Sequence, residues 1–226
     1  MGIVFGHTGV EEPAWRLVGK AVRGGYDVRS LPSSVSARVS AHVSANGNGG
    51  AFPILAGYIG VTSSAKNDRK QSIAMTAPVV QTPTSWDQQQ GGLIVSTGYG
   101  TGHMTLEFLL PASFTAVEDC PKPNDERITL HVNPGKLVAV KSFSGWCSEA
   151  VVKRKLEELL AATQQDNLTP ATEEGSSSTG ATMLWQLAQY NPPFTIPQFR
   201  RNEIWLTLSA DTTEAAVVEA LAAVER

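Results

Sequence analysis

Tyr190-Asn191-Pro192-Pro193-Phe194-Thr195-Ile196-Pro197-Gln198-Phe199-Arg200-Arg201-Asn202-Glu203-Ile204-Trp205-Leu206 sets three prolines between two runs of strand character. Adjacent prolines cannot donate ladder hydrogen bonds, so a strand entering Tyr190 must stop there. Pro197 keeps the connection extended. Past Arg200 the alternation resumes, with Ile204, Leu206 and Leu208 on one face and Glu203, Trp205 and Thr207 on the other. That spacing predicts a strand with one buried face. The stretch is a stiff, aromatic loop between two strands, and binding residues collect on loops held by a rigid scaffold. A loop that only stiffens a sheet edge is the plainer reading of the same residues.

Working backwards, the order strand, strand, helix, strand, strand recurs. Residues 127–132 and 136–143 alternate as strands, a helix follows over 146–163, and strands at 183–190 and 202–208 complete the set. The helix carries Val152, Leu156, Leu159 and Leu160 on one face, with Glu149, Lys153 and Glu157 spaced to pair along it. An earlier set has the same order. It has strands at 26–31 and 35–43, a helix at 51–60, and strands at 72–80 and 104–110. Val35, Ala37, Val39, Ala41 and Val43 face one way against Ser36, Arg38, Ser40 and His42. Phe52, Leu55, Ala56 and Ile59 fall at i, i+3, i+4 and i+7, an apolar helix stripe. Ala74-Met75-Thr76-Ala77-Pro78 aligns with Ala188-Gln189-Tyr190-Asn191-Pro192 as A-x-x-x-P.

The repeat predicts an α+β fold. Two β-β-α-β-β halves form a curved antiparallel sheet or open barrel with two flanking helices. A ligand would sit between a helix and the sheet, or at the pseudo-symmetric seam. Residues 93–97 and 104–110 read as a hairpin. Residues 84–92 and 166–182, rich in Gln, Ser, Thr and Gly, read as mobile surface loops. Asp211 with Glu214 reads as a capping box opening an Ala-rich terminal helix.

At 226 residues the chain suits one ordinary domain, and 42% hydrophobic with 17% charged residues is a globular balance. A formal charge of −3 gives no footprint for nucleic acid. No apolar run is long enough to span a bilayer. Cys120 and Cys147 form no CxxC pair, which fits a reducing compartment. Catalytic signatures such as GxSxG, HExxH, the P-loop and GxGxxG are absent from the sequence, and His7, His42, His103 and His131 lack metal-ligand spacing. No enzyme chemistry is expected, and no metal-ligating residues.

Several blocks together resemble the SOUL haem-binding family. They are Met1-Gly2-Ile3-Val4-Phe5-Gly6 with Val10-Glu11-Glu12-Pro13, Tyr26-Asp27-Val28-Arg29, Leu55-Ala56-Gly57-Tyr58-Ile59-Gly60, Ile73-Ala74-Met75-Thr76-Ala77-Pro78-Val79, Phe108-Leu109-Leu110-Pro111, Phe143-Ser144-Gly145, and Tyr190-Asn191-Pro192-Pro193 with Arg201-Asn202-Glu203-Ile204. The chain start and the proline loop look most like plant and algal cytosolic members. The resemblance implies a fold like that of bacterial effector-binding domains, and reversible, non-covalent binding of haem or another porphyrin by a carrier or buffer. It implies a family domain over 11–208 with a helical extension at 209–226, and a cytoplasmic protein, because the match begins at the chain start. Some animal members place an axial histidine just after the Y-E-V-R segment, where this chain has Ser30. Other members hold the porphyrin on the first helix, with basic residues near the propionates. Phe52, Leu55, Ala56 and Ile59 are the corresponding candidates here, joined by Phe194 and Arg200 of the proline loop. Arg38, Lys66 and Arg200 are candidate partners for the propionates. A tetrapyrrole enzyme would need a ligating histidine or a paired acid and base. A small-molecule effector-binding or protein-interaction module that has lost haem ligation is the other alternative.

Overall fold

The computed structural model describes residues 4, 6–43, 50–61, 63–83, 89–90, 93–94, 102–174 and 181–224. Thirteen strands and three α-helices follow in the order β1 (Arg16–Ala21), β2 (Tyr26–Leu31), β3 (Ser34–Val43), α1 (Ala51–Ile59), β4 (Val79–Pro83), β5 (Gln89–Gln90), β6 (Leu93–Ile94), β7 (Gly102–Leu109), β8 (Ile128–Asn133), β9 (Lys136–Phe143), α2 (Glu149–Gln165), β10 (Thr172–Glu174), β11 (Ala181–Met183), β12 (Trp185–Gln189), β13 (Asn202–Thr207) and α3 (Glu214–Val224). The nine-stranded antiparallel sheet runs β1-β2-β9-β13-β12-β4-β7-β3-β8. A second, small sheet runs β10-β11-β6-β5.

The strand order shows the duplication. From the central pair β12–β4, the sheet reads outward as β13, β9, β2 on one side and β7, β3, β8 on the other. Each half therefore lends its first strand to the other: β2 pairs with β9, and β8 with β3. A pseudo-twofold axis passes between β4 and β12. It relates two glutamates, Glu107 on β7 and Glu203 on β13, both buried on the sheet face away from the helices. Around Glu107, Arg38 lies across the strand pair and the Asn133 amide donates at 2.6 Å. Around Glu203 the equivalent positions hold Ser142 and Arg29.

Each helix covers its own half. Leu55, Tyr58 and Ile59 of α1 pack on Val35, Val39, Leu106 and Phe108. Val152, Leu156 and Leu159 of α2 pack on Val28, Ala139, Leu187, Ile204 and Leu206. α3 adds Val217 and Leu221 to that second cluster, lying so close to β1 that a Cβ on Gly19 would meet Leu221 Cδ1 at 2.7 Å.

Several expectations are corrected. The strand expected at 72–80 is β4, which begins only at Val79, because the preceding extended segment makes a bridge at Thr76 instead. Pro78 thus enters its strand, whereas Pro192 follows β12, so the A-x-x-x-P alignment does not mark equivalent positions. Leu93–Ile94 pairs with β5 and β11 rather than with β7. The stretch after α2, expected as a mobile loop, is anchored: Leu168 is in the core, buried Asp166 accepts from the Tyr26 hydroxyl, and β10 pairs with β11. Residues 84–88, 91–92 and 175–180, the rest of the two expected loops, lie outside the described residues. Strand β1 went unread because Gly19 interrupts its alternation at a register shift.

On α2 the ion pairs gather at Glu158, with Lys155 at 2.9 Å and Lys141 at 3.5 Å. The cap of α3 is Thr213, whose Oγ1 accepts from Ala216 N–H at 3.2 Å, not Asp211. Thr213→Ala should cost about 1 kcal/mol in a denaturant titration, the usual value of a hydroxyl cap.

Candidate functional site

The register Gln189 opposite Val79 brings the start of β4 beside the end of β12. Both proline breaks therefore sit at one end of the central pair, although they are far apart in sequence. Between them, on the helix face of the sheet and at the seam between the halves, lies a cleft of about 740 Å³. Phe52, Pro53 and Val61 form its α1 wall, Met75, Thr76, Ala77 and Val79 its floor, and Tyr190 to Pro193 with Arg200 the opposite wall. Thr8 and Val10 close one side. The size suits a small-molecule ligand, and most of the lining is apolar.

Backbone contacts fix each wall. Ala77 N–H donates to Glu11 O at 2.9 Å, and Ile73 N–H to Ile59 O at 2.9 Å. The Thr76 hydroxyl donates to Leu109 O. In the proline loop, the Asn191 side chain accepts from Arg201 N–H at 2.7 Å and donates to Gly6 O at 3.0 Å. Gly145 N–H donates to Pro197 O at 2.8 Å. The prolines lower the loop's freedom before these bonds form, so the wall is rigid on two counts.

Arg200 is the one cationic side chain lining the cleft among the described residues. Its Nε donates to Thr195 O at 2.8 Å and its Nη2 to Pro193 O, while the guanidinium lies 4.1 Å over the Trp146 ring. These contacts hold the cation in place and leave Nη1 with no partner among the described residues. Arg38 and Lys66 do not line the cleft. Arg38 is turned to Glu107 on the other sheet face, and Lys66 lies against Gly57.

Of the stripe expected to face a ligand, only Phe52 lines this cleft. It is 38% exposed and meets Phe108 edge-on at 5.2 Å. Leu55, Ala56 and Ile59 are at 2% exposure or less, in the core behind Phe52. Phe194 projects to solvent from the loop beside Pro193 and is outside the cleft lining. Ser30 lies in a separate groove beside Gly135 and Lys136 that shares no lining residue with the cleft. The His42 side chain lies outside the described residues.

Tyr190 joins the cleft to a buried polar centre. Its hydroxyl donates to Glu203 at 2.9 Å, and Arg201 lies 3.5 Å over its ring. Burial, then the neighbouring Glu203 charge, push the phenol's pKa well up. Glu203 also accepts from Trp205 Nε1 at 2.8 Å, Arg29 Nη1 at 3.0 Å, Arg201 Nε at 3.1 Å and Ser142 Oγ at 3.3 Å. Burial pushes this carboxyl up, and the Trp205 bond with the two guanidiniums more than offsets it, leaving it below the ordinary range. Arg201 continues to Glu12 at 2.9 Å, which ties the chain before β1 to the same centre. Cys147, near Arg200, is a neutral thiol whose pKa burial pushes up to about 11.

The M-T-A-P and Y-N-P-P blocks are legible as motifs, but nothing local in the sequence marks Met75, Thr76, Val79 and Tyr190 as residues of one cleft. What brings the blocks together is the long-range pairing of β4 with β12.

A family model described as SOUL heme-binding protein matches residues 10–207. No curated protein matches the chain. Among solved structures, the fold is similar to the EcmrR C-terminal domain, at 10% identity and TM-score 0.52 over 81% of this chain and 96% of that one. It is also similar to an uncharacterized conserved protein from Listeria innocua, at 12% identity and TM-score 0.51 over 80% of this chain and 92% of that one. Among the described residues, no helix is long and apolar enough to cross a membrane.

Proposed function

The chain belongs to the SOUL heme-binding protein family, and on that premise we propose that its cleft binds haem or another porphyrin reversibly, as a carrier or buffer. The observation that carries the reading is an apolar cleft, at the seam of the two halves, with one fixed cation on its wall. Phe52, Val10 and Val79 offer apolar surface to a macrocycle, and Arg200 offers Nη1 to a propionate. Leu55, Ala56 and Ile59 act behind this wall by keeping α1 seated. Phe194 stands at the mouth. The lining fits a flat, largely apolar dianion, and the bound group is cargo, so no reaction is required of the chain. Two unpaired thiols suit a cytoplasmic setting.

Titration with haemin and with iron-free protoporphyrin, followed by absorption, tests the reading. Both should bind wild type with a shifted Soret band. Arg200→Gln should weaken both about tenfold, the value of one charge-assisted hydrogen bond. If neither ligand shifts its spectrum, the reading fails and the cleft belongs to some other effector.

A further inference from the structure

We propose that Met75 is an axial ligand for haem iron in this cleft, and that it makes the site prefer the reduced metal. The inference rests on the porphyrin reading above and names a residue's role within it.

Iron held in the cleft would meet few donors. No histidine is among the described lining residues. The Tyr190 hydroxyl is committed to Glu203 at 2.9 Å, and its raised pKa disfavours the phenolate that iron requires. The amides of Gln81, Gln189, Asn191 and Asn202 are poor haem ligands. The Gln81 and Asn202 amides also donate elsewhere, to Gln189 and to Gly145 O. Met75 is left as the soft donor, half-buried and part of the cleft floor.

Its backbone is held on both sides. Ile73 N–H is bonded to α1 at Ile59 O, and Thr76 bridges Glu11 while its hydroxyl reaches Leu109 O. The side chain also packs on the cluster beneath α1. Met75 therefore lines the cleft from a pinned segment, and its unbranched thioether side chain can adapt to a bound ring. Thioether sulfur is a soft donor, and a methionine ligand raises haem potentials by favouring the ferrous state. The cleft would then hold ferrous haem more tightly than ferric haem.

The test titrates wild type and the near-isosteric Met75→Leu with protoporphyrin, ferric haemin, and haemin kept ferrous by a chemical reductant under anaerobic conditions. Wild type should bind ferrous haem at least about tenfold more tightly than ferric, equivalent to a rise of about 59 mV in the one-electron potential on binding. The ferrous complex of wild type should show a Soret band displaced from that of the ferrous complex of Met75→Leu, as expected for one added thioether ligand. Met75→Leu should lose the preference, read as the ratio of ferrous to ferric affinity within each protein, so that any change in apolar contact shared by all three ligands cancels. Equal affinity for the two oxidation states, or a preference that survives in Met75→Leu, overturns the proposal. Protoporphyrin binding to wild type separates the two readings. If it binds and no ferrous preference appears, only the role of Met75 is lost. If no tetrapyrrole binds, the porphyrin reading falls, and the ligand role with it.

Discussion

Glu203→Ala should lower the unfolding free energy by about 3–5 kcal/mol, the cost of removing one partner from a buried charge pair. Arg29 explains the size. Its side chain is only 7% exposed, and losing Glu203 at 3.0 Å leaves Asp27, also at 3.0 Å, as its one carboxylate partner among the described residues, beside the Trp15 ring. The Trp205 indole and the Tyr190 hydroxyl lose their acceptor at the same time. For a chain of this length the loss corresponds to a fall of roughly 10 °C in Tm. Arg127→Ala is the contrast. It breaks a solvent-exposed pair with Asp125 and should cost at most about 1 kcal/mol.

Glu203 also sets a pH signature. Its folded-state pKa lies below that of an ordinary glutamate. Its ionised form therefore stabilises the fold fully above the unfolded glutamate pKa of about 4.3. That contribution is lost as pH falls through the depressed folded value. Between about pH 5 and 3 the wild type should lose stability faster than Glu203→Gln, which carries no proton there to bind. Parallel slopes in urea titrations at stepped pH would show that the carboxylate is not the stabilising form. Tyr190 spans this centre and the cleft wall, so Glu203→Ala should also loosen the proline loop, read as faster hydrogen exchange at Asn191 and Thr195.

Local signals explain what the chain reveals before folding. Val35 to Val43 alternates without a break and becomes β3. The stripe through Leu55 and Ile59, and the one through Val152, Leu156 and Leu159, become the buried faces of α1 and α2. The repeat of element order is enough to give the architecture. The exchange of β2 and β8 between halves is invisible, because it depends on pairings across roughly a hundred residues and on no local pattern. The same limit hid the cleft. A 3.6-residue stripe reports which side of a helix is apolar, and for Leu55, Ala56 and Ile59 that side is the core. Phe52 has the same periodicity, yet it stands in the first turn of α1, partly exposed and with its ring against Phe108. Arg200 was legible as a cation on a stiff loop. Its fixed pose over Trp146 could not be read, since it needs Gly145 bonded to Pro197.

Ferric haemin and iron-free protoporphyrin should bind within about tenfold of each other, a gap of no more than ~1.4 kcal/mol. The cleft places no histidine on the iron among its described lining residues, Ser30 lies in a different groove, and a thioether adds little to ferric iron. Affinity then rests on apolar contact. Burying about 300 Å² of ligand surface at ~25 cal/mol per Å² gives roughly 7 kcal/mol, a Kd of several micromolar before ordering costs. Phe52→Asp should weaken both ligands by about thirtyfold, since it removes the aromatic wall and sets a carboxylate beside the propionates. The variant should keep the fold, because Phe52 is partly exposed while Leu55, Tyr58 and Ile59 still seat the helix; an unchanged Tm would verify this. His42→Ala should alter neither affinity. A haemin affinity a hundredfold above that of the iron-free ring, abolished in His42→Ala, would mean that a histidine reaches the iron in the ferric complex, and apolar contact would no longer explain the site.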